Sequence, residues 1–516
     1  MAARAVPLKP VNAFAWIAVA FVAAAIFVPL AAVFVRADTM VKVLTSDWSA
    51  LRFTIWQAIL SAVFSVGLAI PVARALARRA FPGRGILITL LGAPFILPVI
   101  VAVLGLLAVF GRGGLVNQVL GWAGIEPVSI YGLHGVVLAH VFFNLPLATR
   151  IILQGWQAIP GERFRLAANL GMSPGQVARV LEWPMLRAVV PGALMVVFAI
   201  CLSSFAVALT LGGGPRATTV ELAIYQAFTF DFDLGRAALL AVVQLVIAGV
   251  AAALALWAAV PTGFGAGMDR IVRRWEAESA VLRAGDAVWI GLAALFLLVP
   301  LAMIFLNGLK GLAQVPGMVW TATGTSVVIA LITTVLVLVL ALSLATARRG
   351  WAEIVALSGI AVSPLVIGTG LFIMVNPWIN PAHLALPVTA LVNTLMALPF
   401  AMRVIAPEVA RIEADYGRLA DALGLRGWAR MRWLVLPRLR NSLGFSAGLT
   451  AALSMGDLGV VALFADPDFA TLPLQMYRLM GAYRMEAAAG AGLILLVFSL
   501  ALFYLFDRGG RGDVDA

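Results

Sequence analysis

Charged residues are scarce in this sequence, because Asp, Glu, Lys and Arg together make up only 12% of the 516 residues. Soluble domains typically carry about 25% charged residues, so the composition argues against a soluble enzyme. Cysteine occurs once, as Cys201, which excludes an intrachain disulfide framework. The three histidines, His134, His140 and His383, lack metal-ligand spacing and companion cysteines, so we predict no metal site.

Long hydrophobic runs take the place of charge: 63% of the residues are hydrophobic, and the mean hydropathy is +1.03. Crossing the hydrocarbon layer of a membrane takes about 20 apolar residues. We therefore predict an all-α polytopic membrane protein with about 12 transmembrane helices. The apolar segments begin near residues 13, 53, 86, 133, 188, 237, 287, 324, 351, 384, 443 and 486.

The net charge of +12 follows the membrane topology. When the N-terminus is assigned to the cytoplasm, most Lys and Arg residues fall in cytoplasmic loops, in agreement with the positive-inside rule. This distribution marks a membrane side, so membrane lipid is an expected partner and nucleic acid is not. Because the number of segments is even, we expect both termini in the cytoplasm.

An internal repeat relates the two halves of the chain. Residues 146–187 match residues 399–440 at a constant shift of 253, and 15 of the 42 positions are identical. A polar segment at residues 261–285 starts with Pro and Gly, as linkers often do. We therefore predict a first six-helix repeat at 1–260 and a second at 286–516, joined by a cytoplasmic linker. An even number of spans in each half makes the repeats parallel.

The best-matched part of the repeat is a pair of loops, which we call the first coupling loop (residues 154–187) and the second coupling loop (residues 407–440). Loops usually diverge quickly, so a loop retained in both copies suggests contact with a partner. Each contains an apolar stripe on a short helix, a glycine suited to a helix end, and a proline that starts the return to the bilayer. The residues are Leu166, Ala167, Leu170, Gly171 and Pro184, and then Leu419, Ala420, Leu423, Gly424 and Pro437.

The coupling loops resemble the cytoplasmic signature of the membrane permeases of bacterial ATP-binding-cassette importers. That signature is Glu-Ala-Ala, three residues, Gly, nine residues, Ile, one residue, Leu-Pro. Ala167, Gly171 and Pro184 fall on this spacing, as do their counterparts in the second loop. The signature Glu is replaced by Arg165 and Arg418. The resemblance implies the type I importer fold.

The same resemblance implies that each coupling loop docks on a separate ATPase subunit, so two ATPase subunits are expected. Glu162 and Asp415, one turn before the replaced Glu, complete the expected docking residues. A Walker A loop needs Gly-Lys-Ser/Thr. The lysines here, Lys9, Lys42 and Lys310, are followed by Pro, Val and Gly. We therefore expect no catalytic residue and no cofactor in this chain, with ATP and Mg²⁺ on the partner.

Residues 211–244 and the fused two-half layout resemble the permeases of thiamine importers. This resemblance implies translocation of thiamine across the bacterial inner membrane, with an extracytoplasmic thiamine-binding protein as a further partner. Two alternatives stay open. One is a fused permease for ferric iron, which shares the layout, and the other is an ion-coupled secondary carrier. Such a carrier needs intramembrane ionisable groups, and it would not explain two docking motifs.

Four residues are candidates for the substrate pathway: Ser204, Tyr225, Asp457 and Tyr477. Asp457 lies in an apolar run, where a carboxylate is costly and usually faces a cavity, a partner or the substrate route. Ser204 is its counterpart in the repeat, and a carboxylate would favour passage of the positively charged thiamine. A hydrated position, or a cap on a broken helix, is the alternative for Asp457. The two tyrosines suit a cation, or a surface that contacts a binding protein.

Overall fold

The computed structural model describes residues 13–37, 44–92, 94, 96–214, 217–258, 274–347, 350–464 and 470–511, and the regular structure within these ranges is helical. We number its α-helices in chain order. Those of the first half are α1 Ala13–Arg36, α2 Thr45–Arg78, α3 Arg84–Leu90, α4 Val99–Phe110, α5 Leu115–Trp122, α6 Leu133–Ala158, α7 Gly161–Asn169, α8 Pro174–Val177, α9 Trp183–Leu202, α10 Phe205–Leu211, α11 Val220–Thr229 and α12 Leu234–Trp257. Those of the second half are α13 Ala280–Gly311, α14 Gly317–Ala347, α15 Gly350–Leu357, α16 Pro364–Val375, α17 Ala385–Ala422, α18 Gly427–Arg430, α19 Leu436–Met455, α20 Gly459–Leu463, α21 Leu472–Gly481 and α22 Met485–Gly510.

Among the described residues, eleven helical stretches are long and apolar enough to cross a membrane, which confirms the prediction of an all-α polytopic protein. The ninth predicted segment, near residue 351, differs because it is divided between α15 and α16. Pro364 occupies the first turn of α16. Ser363, the residue before this proline, is extended, with φ −70° and ψ 143°, as is favoured before a proline. The third predicted segment, near residue 86, crosses later, from Val99.

The described chain forms two compact units. One unit lies within Met1–Arg36, Trp320–Leu472 and Val497–Ala516, and in it α1 packs against α15 and α16. The other lies within Ala37–Val319 and Pro473–Leu496, and in it α2 packs against α6, α9 and α13. Both units thus combine helices from the two halves of the sequence.

The division into two sequence repeats around residues 261–285 stays a prediction, because helix packing and sequence duplication are different properties. Residues 261–273 of that linker lie outside the described residues. From Arg274 onward the segment forms a short 3-10 turn, Trp275–Ala277, before α13. These described residues adjoin the first coupling loop, as shown below.

Small residues allow close helix approaches within each unit. A Cβ on Gly490 would lie 2.6 Å from the carbonyl oxygen of Gly311, and a Cβ on Gly370 would lie 2.2 Å from that of Pro29. Helices in lipid associate largely through such close packing, because the lipid tails remove most of the hydrophobic driving force. Larger side chains at these two glycines would therefore push α13 from α22, and α1 from α16.

Candidate functional site

The first coupling loop contains a separate helix, α7, which begins after Pro160. The residue before this proline, Ile159, is extended, with φ −72° and ψ 121°, as expected before a proline. In the second coupling loop, Glu413 takes the place of Pro160, and α17 continues without a break to Ala422. We call residues 161–169 and 414–422 the docking helices. The predicted short helix is therefore an independent element in one loop and the end of a long helix in the other.

Each docking helix buries its signature alanine and exposes the leucines beside it. Ala167 and Ala420 are 4% and 2% exposed. The exposed fraction is 59% for Leu166, 65% for Leu170, 57% for Leu419 and 67% for Leu423. Glu162 and Asp415 are exposed as well. Apolar side chains grouped on an exposed surface are typical of a docking site.

Both docking helices end in the same backbone motif. Gly171 has a φ of 63° and Gly424 a φ of 69°, in the left-handed region. The residue after each glycine donates its N–H to the carbonyl oxygen of the buried alanine, at 3.0 and 2.9 Å, which is a Schellman cap. A Cβ on either glycine would meet no described atom within 4 Å. The backbone conformation, rather than lack of space, therefore favours glycine here.

A π-helical turn follows each docking helix at the same place: Ala178–Glu182 in the first loop and Met431–Val435 in the second. The signature prolines, Pro184 and Pro437, come two residues later. A proline cannot donate to the preceding turn, and its ring clashes with the carbonyl group four residues earlier. The wider turn lets the chain stay helical through the proline. The loops thus share backbone conformation as well as sequence.

Glu182, in the π-turn of the first coupling loop, is buried among arginines. Its carboxylate lies 2.6 Å from Arg74, 3.4 Å from Arg78 and 2.9 Å from Arg274. The indole N–H of Trp156 also donates to it, at 3.4 Å. A buried carboxylate requires such partners, because an uncompensated buried charge is strongly destabilising. This cluster ties the loop to α2, to α6 and to the segment before α13.

Arg274 is the member of this cluster that lies between the two sequence repeats. Its guanidinium carbon lies 3.6 Å from the centroid of the Phe164 ring of α7, and its Nε lies 3.7 Å from Glu276. Burial lowers the pKa of Arg274 to about 10, although Glu182 opposes the shift. The side chain is still charged at neutral pH, so it holds the carboxylate and the ring together.

Arg430 holds the second docking helix in a different way, because it belongs to the coupling loop itself. Its guanidinium pairs with Glu413 at 2.5 Å and with Asp421 at 2.7 Å. It also donates to the carbonyl oxygen of Gly417 at 3.3 Å. Gly417 is the repeat counterpart of Phe164. An arginine therefore lies at the same point of both docking helices, but it comes from different parts of the chain.

The candidate pathway residues Ser204 and Asp457 lie at equivalent helix interruptions. Residues 203–204 separate α9 from α10, and residues 456–458 separate α19 from α20. One carboxylate oxygen of Asp457 accepts from the N–H of Gly459 at 3.3 Å, while the other is buried and has no hydrogen-bond partner within the described parts of the chain. Interrupted transmembrane helices are typical of substrate routes.

Buried polar contacts join each interruption to the helix that precedes its coupling loop. His140 of α6 lies 2.5 Å from the hydroxyl of Ser204 and 3.1 Å from that of Ser61. Its repeat counterpart in α17, Asn393, donates to Ser454 at 3.0 Å. The helices before and after each coupling loop are thus hydrogen-bonded to each other close to the interruption.

Tyr225 and Tyr477 line one cavity of about 190 Å³. The ring of Tyr225 packs edge-on against Phe205 and Phe230, with centroid distances of 5.4 and 6.2 Å. The phenol of Tyr477 is neutral at pH 7, as phenols ordinarily are, and burial raises its pKa further. Of the four predicted pathway residues, these two share a cavity, and its aromatic walls suit an organic cation.

Sequence reasoning did not identify Glu182, His140 or Arg274. An acidic residue in a basic loop was a signal available for Glu182. Arg274 gave no local signal of its place in this cluster, because Glu182 is 92 residues away in the sequence. The pattern of apolar residues along a helix does not show which ion pairs form between residues so far apart in the sequence.

Comparison with known proteins shows similarity over most of the chain. The thiamine transport system permease protein ThiP of Salmonella typhimurium is 40% identical over 480 residues, which cover 89% of this chain and 89% of that protein. ThiP of Escherichia coli is 39% identical over 482 residues, with the same coverage. The molybdenum transport system permease protein ModB of Mycobacterium bovis is 33% identical over 253 residues, which cover 46% of this chain and 93% of ModB. No family model matches the chain.

Proposed function

The chain belongs to the family of thiamine transport system permeases, and on that premise we propose that it is the membrane-spanning subunit of an ATP-binding-cassette importer for thiamine. It is a multi-pass protein of the bacterial inner membrane, and it translocates its substrate without chemical change. The observation that carries this proposal is the similarity to ThiP proteins along 89% of the chain. Neither a ferric iron permease nor an ion-coupled carrier has comparable support.

Energy comes from a separate ATPase, which binds ATP and Mg²⁺, whereas this chain needs no cofactor. Two ATPase subunits bind, one at each docking helix. The exposed leucine pairs, Leu166 with Leu170 and Leu419 with Leu423, support this arrangement because burying them in a partner removes apolar surface from water. Their shared Schellman caps support it further, since two identical partners need the same backbone shape.

The orientation that we propose has both termini and both coupling loops in the cytoplasm. The distribution of Lys and Arg supports this orientation. An extracytoplasmic thiamine-binding protein delivers the substrate from the other side. When ATP closes the two ATPase subunits, both docking helices move, and the pathway alternates between inward-open and outward-open states.

The substrate pathway includes Ser204, Tyr225, Asp457 and Tyr477. The equivalent helix interruptions at Ser204 and Asp457 support this assignment, as does the aromatic cavity lined by the two tyrosines. Thiamine carries a permanent positive charge, so a buried carboxylate and neutral aromatic rings stabilise it without fixing it in place.

Uptake in cells tests the energy source. A bacterial strain without its own thiamine permease receives this chain, its ATPase and its binding protein, and labelled thiamine uptake is measured. We expect uptake to stop when ATP is depleted and to continue when an uncoupler collapses the proton gradient while ATP is maintained. Uptake that stops with the uncoupler alone would instead identify an ion-coupled carrier.

A further inference from the structure

The described part of the segment between the two sequence repeats, from Arg274 onward, is packed against the first coupling loop. Its 3-10 turn, Trp275–Ala277, packs against α8 of that loop. Arg79, which follows α2, donates to the carbonyl oxygen of the fully buried Ala277 at 2.7 Å and pairs with Asp286 of α13 at 2.7 Å. The C-terminal end of the segment is therefore held both by α8 and by Arg79.

Arg274 is the residue of this segment that contacts the first docking helix. It pairs with Glu182 at 2.9 Å and stacks on Phe164, which is 2% exposed and belongs to α7. The side chain of Arg274 is also 2% exposed, so these contacts are shielded from solvent. Shielding strengthens both the ion pair and the stacking contact.

The second docking helix is held by an arginine of its own coupling loop. Arg430 pairs with Glu413 and Asp421 inside the second coupling loop and its preceding helix. Val435 stands where the first loop has Glu182, so a buried carboxylate is missing at that position. The two docking helices therefore share their shape but not their support.

We propose that Arg274 is a positioning residue through which the segment between the repeats holds the first docking helix in place. The fused chain thereby gains a connection that acts on the first docking helix. When the docking helix moves, the pairs of Arg274 with Glu182, and of Arg79 with Asp286, pass the motion to α2 and α13. This inference rests on the proposed function only in that the docking helix meets an ATPase.

The charges of the cluster determine which substitution tests this role. Replacing Glu182 leaves three arginines, Arg74, Arg78 and Arg274, with one carboxylate, Glu276, and such an excess of buried charge is strongly destabilising. Replacing Arg274 leaves two arginines, Arg74 and Arg78, with two carboxylates, Glu182 and Glu276, so the charges balance. Arg274→Met keeps an unbranched apolar stem and removes the guanidinium. Arg274→Lys keeps the charge but loses the flat face and the fork of donors.

Hydrogen exchange of the full-length chain with its co-purified ATPase, in lipid nanodiscs, measures the position of each docking helix separately. In Arg274→Met we expect amides of residues 161–171 to exchange about tenfold faster, as for the loss of a charge-assisted hydrogen bond, with residues 414–424 unchanged. Arg430→Met is the matched control and reverses the pattern. Arg274→Lys gives a smaller change, and it is the working variant if the methionine variant does not fold.

Unchanged exchange in residues 161–171 overturns the proposal, and so does an equal increase in both docking helices, which indicates general destabilisation. In proteoliposomes, Arg274→Met should also lower the thiamine imported per ATP hydrolysed while the ATPase stays bound. If the native complex imports no thiamine but the exchange pattern is as expected, the proposed cargo fails and the positioning role stands.

Discussion

The backbone N–H of Met172 donates to the carbonyl oxygen of Ala167 at 3.0 Å, across a glycine with a φ of 63°. The same bond joins Leu425 to Ala420 at 2.9 Å in the second coupling loop. The repeated segments are identical at only 15 of 42 positions, yet these caps keep the same register. A partner that docks on both loops therefore meets the same helix end twice.

Replacing both cap glycines should prevent docking. In Gly171→Val/Gly424→Val the β-branched side chains disfavour the left-handed conformation by about 1–2 kcal/mol or more at each site, so the helix ends unwind or turn away. We expect the ATPase to be lost on purification and uptake to fall at least tenfold, while membrane insertion stays normal.

Gly124→Val is the matched control for this pair. Gly124 has a φ of 73°, and a Cβ there would meet no described atom within 4 Å. The N–H of Ile125 donates to the carbonyl oxygen of Leu120 at 2.9 Å, so the cap has the same form outside the coupling loops. Normal uptake and ATPase binding in the double variant would contradict the role of the caps.

Charges on the exposed leucines should remove the ATPase without unfolding the chain. Leu170 and Leu423 are 65% and 67% exposed, so Leu170→Asp/Leu423→Asp loses little packing within the chain. Each leucine that a partner buries contributes about 1.5–3 kcal/mol, which corresponds to a ten- to hundredfold loss of affinity. Size-exclusion chromatography of the complex measures this loss. Leu170→Met/Leu423→Met conserves apolar volume and should keep the complex intact. If the aspartate variant also keeps its ATPase, the leucines are not a docking site.

Two substitutions of Asp457 separate its charge from its hydrogen bond. Asp457→Asn keeps an acceptor for the N–H of Gly459 and removes the negative charge, whereas Asp457→Ala removes both. If the charge stabilises the cation on its route, the asparagine variant loses most thiamine uptake while binding-protein-stimulated ATP hydrolysis continues. Uptake retained in Asp457→Asn but lost in Asp457→Ala would assign the carboxylate to capping α20 alone.

The aromatic cavity should tolerate loss of the tyrosine hydroxyls but not of the rings. Cation–π contacts contribute about 0.5–2 kcal/mol each, so Tyr225→Leu/Tyr477→Leu should lower uptake about tenfold. Tyr225→Phe/Tyr477→Phe keeps the rings and should stay within about twofold of the native chain. Equal uptake by the leucine and phenylalanine variants would exclude a role for the rings. The measurement is the initial rate of labelled thiamine uptake.

Apolar periodicity and the internal repeat were sufficient to predict the helical membrane architecture. The effects of single prolines were harder to predict. Pro364 begins α16 after the break in the ninth segment, and Pro160 separates α7 from α6, whereas Glu413 leaves α17 continuous. The hydropathy of a segment averages over such single residues, so the number of spans is predictable while their boundaries are not.

The candidate site shows the same division between local and distant information. The cap glycines and the leucine stripe follow from spacing within one helix, and Tyr225 and Tyr477 were each named as candidates for the substrate pathway. The contact of Arg274 with Glu182 and Phe164 depends on tertiary packing between distant segments. Nothing in the neighbouring sequence indicates such a pairing.

Proteoliposomes containing this chain and its co-purified ATPase, with the binding protein outside and ATP inside, provide the decisive measurement. We expect accumulation of labelled thiamine that requires ATP hydrolysis and is competed by unlabelled thiamine but not by ferric iron. No accumulation, with the ATPase still bound and stimulated by a binding protein for another substrate, would keep the importer and contradict thiamine as its cargo.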